Sequence, residues 1–225
     1  MPAAFMRNYH EAIRNDLTKV LGPALSAGEL PAFETAWKLH TAGMAFHSDM
    51  EEGADGRARG FFALIEDASE GALSTEVFVK EHAEEKPLAE AVEAALAEQD
   101  KEKLASAFEA YRAWALAHLA HEEEALIKFA PKIQKPAMSI RQQALNPAIA
   151  KNGIAVFDAF IQHGVRSLAA FGSSGQPPAV AVRVLVHALS VVCEEEDWPR
   201  LKTVCEEAAG PAVWSAITEQ VPTLA

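Results

Sequence analysis

Two histidine–glutamate pairs carry the most specific chemical signal in the chain. His47 is followed four residues later by Glu51, and His118 by Glu122. At that spacing each imidazole and its carboxylate lie on one helix face, one turn apart. A single pair of this kind is more often a solvated contact than a ligand set. Two pairs, joined by His10 and His82, put a histidine on every one of four long helical segments. Imidazole with carboxylate is the ligand set of a borderline divalent metal such as iron, manganese or zinc, and a carboxylate can bridge two ions. Six ligands suit two ions better than one. Glu51 and Glu122 buried without a partner would be severely costly, whereas coordination removes the penalty.

Such ligands must be carried by helices that bring them to one height. Strand-like alternation is nearly absent and the periodicity is helical almost throughout, so the expected class is all-α, with four long helices forming an up-and-down bundle. The first is expected from Ala3 to Leu21, stopped by Gly22-Pro23, and the second from about Pro31 to Glu52. A connection rich in glycine (Gly53, Gly56, Gly60, Gly71) holds one short helix, Phe61 to Ala68. The third helix opens at Ser74 and continues to about Gln99; Asp100 caps the fourth, Lys101 to about Phe129. At a rise of about 1.5 Å per residue, His82 lies ~24 Å before the end of its helix and His118 ~26 Å after the start of the next. Those heights match. His10 and His47, ~17 Å and ~24 Å from their turn, match more loosely.

Half of the 225 residues are hydrophobic, enough for a sizeable core. The formal charge of −12 repels phosphate backbones and anionic lipid, which argues against nucleic acid and membrane as partners. No apolar run suggests a spanning helix, and Met1 to Val20 lacks the apolar stretch of a signal peptide. Cys193 and Cys205 form neither a disulfide framework nor a CxxC site. The expected location is the cytoplasm. Prolines at 136, 147, 177, 178, 199, 211 and 222 cut the remainder into shorter helices, the best being Ile154 to Phe171, Ala179 to Glu196 and Trp198 to Ala208. Residues 1–132 are therefore read as the metal-binding bundle and 133–225 as a helical extension.

The string His118-Leu-Ala-His-Glu122-Glu-Glu-Ala-Leu resembles the H-x-x-x-E-E signature of hemerythrin-like, or HHE cation-binding, domains, and His47-Ser-Asp-Met-Glu51-Glu is similar to the same signature on their second helix. Asn8-Tyr-His10, followed by Ile13 and Leu17, resembles the family's opening helix, and Glu81-His82 its third. The likeness covers about Ala3 to Lys132. It implies a four-helix bundle around two iron ions in a non-haem centre. His10, His47, His82 and His118 would be terminal ligands, and Glu51 and Glu122 the bridging candidates. Oxygen-carrying relatives place another histidine one turn after the first on the third helix, where this chain has Lys86 followed by Pro87. That departure leaves three options at one iron: an open position, Glu85 or water in its place, or weak binding.

The implied function is binding or sensing of a small diatomic ligand such as oxygen, or of peroxide, with iron handling as a variant. Two alternatives stand beside it, a di-iron enzyme acting on peroxide or nitric oxide and a helical interaction module with a vestigial site. Zinc and manganese are the other metals the ligands admit. Among the remaining candidates, His121 is expected beside the ligands or in solvent, with a place instead of His118 as the alternative, His40 as a satisfied core histidine ahead of a place behind the ligands, and His163 and His187 as structural residues. Tyr111 and Trp114 are expected to line the bundle interior. Trp198, Trp214 and the run Ala179 to Val192 are expected to cover the bundle, pair subunits into a homo-oligomer, or face a partner.

Overall fold

A computed structural model describes residues 2–54 and 59–224; Gly56 of the expected connection lies outside them. The protein is 84% helical, with no strands among the described residues. Four long helices form the bundle: α1 (Pro2–Asn15), α3 (Leu30–Glu52), α5 (Glu76–Glu98) and α6 (Lys101–Leu126). The short α2 (Gly22–Ser26) continues α1, and α4 (Gly60–Ser69) lies in the connection before α5. α5 and α6 pack along most of their length across the tight turn at Asp100, whose side chain accepts hydrogen bonds from the backbone N–H groups of Glu102 and Lys103.

The first helix departs from its expected end. A π-helical turn over Asp16–Leu21, with Gly22 N–H donating to the Leu17 carbonyl, carries the chain past Pro23 to Ser26 without a break. Proline has no N–H to give and crowds the carbonyl four residues back, and a widened turn just before it relieves both problems. The same solution recurs beyond the bundle, where a π turn over Arg141–Leu145 joins α7 (Pro136–Ile140) to α8 (Asn146–Asn152) and so passes Pro147. The sequence pattern had not identified this segment as helix.

The carboxyl-terminal region continues with α9 (Ile154–Phe171), α10 (Pro178–Val192), α11 (Trp198–Ala209) and α12 (Pro211–Gln220). α10 stops at Val192, short of the expected Glu196, and α12 is an additional helix. α9 packs against both α1 and α3, and α10 against α1. Aromatic rings fill that contact: Phe160 stacks on Tyr9 at 4.0 Å and meets Phe46 at 4.6 Å. Two buried hydrogen bonds tie α9 to α1, from Asn15 to the Gly172 carbonyl (3.1 Å) and from Ser167 to the Ala12 carbonyl (3.2 Å). The extension and the bundle thus share one continuous apolar core.

Gly60 opens α4 at φ +64°, and a Cβ there would come within 2.2 Å of the Glu51 carbonyl oxygen. The chain can return over the end of α3 only because this residue has no side chain. Gly60→Ala is expected to cost about 3 kcal/mol of stability, read as a fall of several degrees in the thermal midpoint; an unchanged midpoint would refute this account of the turn.

Candidate metal centre

The four long helices bring His10 (α1), His47 and Glu51 (α3), His82 (α5), and His118 and Glu122 (α6) into one buried cluster. The side chains fall into two overlapping groups. His10, His47, Glu51 and Glu122 each present a donor atom within 4.8 Å of the others, and so do His82, His118 and Glu122. Glu122 spans the groups with its two oxygens. Oε2 lies 3.5 Å from His10 Nε2, while Oε1 lies 3.4 Å from His118 Nε2 and 3.8 Å from His82 Nε2. Glu51 Oε2 lies 3.2 Å from His47 Nε2 and 3.6 Å from His82 Nε2, between the same groups.

Carboxylates on neighbouring helices hold three of the four rings from behind. Glu52 on α3 accepts from His82 Nδ1 on α5 at 2.6 Å, and Glu81 on α5 accepts from His118 Nδ1 on α6 at 2.7 Å. Glu123 on α6 accepts from His10 Nδ1 on α1 at 3.0 Å and also from Arg14 at 2.8 Å. Each bond fixes the hydrogen on Nδ1, so the Nε2 lone pair faces the cluster. The sequence reading missed this role of Glu52, Glu81 and Glu123. Their signal was adjacency, since each stands directly beside one of the six cluster residues. His47 is the exception, with no hydrogen-bond partner for Nδ1 among the described residues. Its ring is set by packing, edge-on to His10 at 5.3 Å and tilted over Tyr9 at 5.5 Å.

The unpartnered atoms test whether these residues fit a metal. Nε2 of all four histidines, Glu51 Oε2 and both Glu122 oxygens are buried without a hydrogen bond among the described residues. Buried polar atoms are normally satisfied, and this many orphans in one place call for a cation. None of the contacts at 3.2–3.8 Å forms a hydrogen bond. Donor atoms that converge at such separations would suit a shared ion. Electrostatics agrees. Burial, reinforced by neighbouring carboxylates, pushes Glu51 and Glu122 well above the usual carboxylate range. Burial also lowers His10, takes His47 well below its ordinary value and brings His118 down to about 4. Burial raises Glu123 too, but hydrogen bonds from His10 and Arg14 prevail and hold it at about 2, an ionised acceptor.

The family described as hemerythrin HHE cation binding domain matches residues 1–130. This chain belongs to that family. No curated protein and no solved structure matches it at a significant level. The HHE match ends within the short turn Ala130–Lys132 that follows α6, so the carboxyl-terminal helices lie beyond it.

Within this HHE bundle the other candidates take lesser places. Glu85 stays outside the cluster: it accepts from the Tyr111 hydroxyl at 2.8 Å, and Lys86 reaches into solvent towards Glu90. The option of Glu85 filling the position of the missing histidine is therefore not realised. His121 is half exposed and shares Glu81 with His118. His40 is buried one layer away, hydrogen-bonded to the Tyr111 hydroxyl at 3.0 Å and 3.6 Å from Asp16, which also takes His163. Sequence spacing could not find the Asp16–His163 pair, whose members lie 147 positions apart. His187 is exposed. Trp114 stacks on the His118 ring at 5.1 Å, and Phe62 on His82 at 5.7 Å, which keeps water from the cluster edge.

Two outcomes are expected. Glu81→Gln and Glu123→Gln weaken the hold on a ligand-bearing histidine without removing a cluster donor, so metal affinity should fall roughly 10–100-fold with the fold intact. Equilibrium dialysis against a competing chelator measures it. Burial raises Glu51 and Glu122 in the metal-free protein, so a metal competes with protons for these carboxylates and affinity should rise with pH. Calorimetric metal titration in buffers of different ionisation enthalpy should register proton release on binding, and Glu51→Gln should reduce it.

Proposed function

We propose that His10, His47, Glu51, His82, His118 and Glu122 hold two iron ions, and that the protein binds or senses oxygen or a related small molecule. The observation that carries this reading is the coincidence of seven orphaned buried donor atoms with two overlapping ligand groups. Iron in such a set supplies reversible electron exchange with a small molecule at an open coordination position.

The chain's own side chains define the rest. Glu122, with one oxygen towards each group, keeps both groups at a fixed separation, and Glu51 supports it from α3. Glu52, Glu81 and Glu123 hold the imidazoles through Nδ1 with Nε2 aimed inward. Trp114 and Phe62 restrict access to small molecules. We assign residues 1–132 to this task and regard the remaining helices as an addition to it.

A second reading is favoured by the uneven donor count. The His82 side offers His82, His118 and the shared Glu122, one fewer than the His10 side. An underfilled position invites a reactive ligand, and the alternative is an enzyme acting on peroxide or nitric oxide.

Elemental analysis of chelator-free protein should give about two irons per chain, and His118→Ala and Glu51→Ala should each lower both metal content and thermal stability. Unchanged metal in both variants would overturn the ligand assignment. Spectra of the reduced protein separate the readings: a stable adduct reversed by removing oxygen supports sensing, and repeated turnover of peroxide or nitric oxide supports the enzyme.

A further inference from the structure

A cavity of about 40 Å³ lies between the bundle and the carboxyl-terminal helices. Its inner side is built by Met6 and Tyr9 of α1, Met50 of α3 and Phe61 of α4, and it reaches His47 and Glu51 at the edge of the cluster. Its outer side comes from the extension, through Ala144 and Leu145 in the π turn before α8 and Ala188 and Val192 of α10. Of the side chains lining it only those of Tyr9, His47 and Glu51 carry oxygen or nitrogen, and the rest are hydrocarbon or thioether.

The volume and the walls together define an occupant. One water needs about 10–15 Å³ but also two to four polar partners, which these walls do not supply, so an apolar chamber of this kind favours dry guests. A charged or strongly hydrated molecule would lose its hydration on entry with little in return. A small uncharged molecule loses almost nothing and gains dispersion contact with the apolar walls. We infer that this chamber is a binding site for an uncharged, apolar molecule of xenon or diatomic size, with the carboxyl-terminal helices as half of its wall. The site deepens the proposed function, and rests on it, only in this respect: an occupant lies against His47 and Glu51, so an apolar guest is held at the edge of the cluster. It also gives the extension a task, since its helices supply about half of the apolar wall.

The probe is xenon, followed by ¹²⁹Xe NMR on the full-length protein as purified, at graded pressure. Wild-type protein should show a saturable xenon shift. Ala144→Leu and Ala188→Leu, on different helical segments, fill the chamber from separate sides, and each should abolish that shift while circular dichroism and the thermal midpoint report an intact fold. Absence of a saturable shift in wild type, or its survival in both variants, would overturn the inference. Elemental analysis of the same samples keeps the two ideas apart. Saturable xenon without bound metal supports the chamber and sinks the metal reading, and two irons without a xenon site does the reverse.

Discussion

The structure turns on the cost of keeping two carboxylates and four imidazoles in a dry bundle interior. Transfer of an unpaired charge from water into such surroundings costs far more than a domain's net stability. The polypeptide meets that cost only partly, by favouring neutral forms: burial raises Glu51 and Glu122 and lowers His10, His47 and His118. Seven donor atoms are still left unpaired at the centre. A bundle core of that composition is explicable as a receptacle for cations and hard to explain as packing. Membership of a cation-binding family and the geometry of the cluster therefore point the same way.

Around this centre the helices are linked in sequence by hydrogen bonds that each cross one interface. Glu52 joins α3 to α5, Glu81 joins α5 to α6, and Glu123 joins α6 to α1. The fourth interface, α1 to α3, has no such carboxylate among the described residues. His10 and His47 meet there directly, with Tyr9 and Phe160 of α9 packed behind them. The carboxyl-terminal region thus leans on the junction where, among the described residues, no carboxylate backs a cluster histidine. Aromatic packing replaces a directional bond at that junction, and the apolar chamber adjoins it.

A second polar layer crosses the bundle away from the centre. Glu85, Tyr111, His40, Asp16 and His163 form a connected series on α5, α6, α3, the π turn after α1, and α9. Asp16 is presented from the π turn that carries the chain past Pro23. Here burial raises the Asp16 carboxyl, but the hydrogen bond from His163 and the nearby His40 imidazole outweigh it and hold the group below its ordinary value. The same irregularity that lets the first helix continue also anchors the extension.

Much of this was legible in the chain. The i,i+4 pairs His47–Glu51 and His118–Glu122, the cap at Asp100 and the turn residues around the four long helices are local signals, carried by residues within one or two turns of each other. Helix periodicity therefore sufficed for the all-α bundle and for the faces on which the six side chains lie. Where local rules failed, a local exception was responsible, as with Pro23 and Pro147, each absorbed by a widened turn that no propensity announces. What only the tertiary structure decided is long-range. It determined which carboxylate stands behind which imidazole, that Glu85 serves Tyr111 and not the cluster, that Asp16 meets His163, and that the last helices close an apolar chamber against His47. Those outcomes depend on how helices rotate and pack against one another. That is a property of the whole core, and no spacing along one segment contains it.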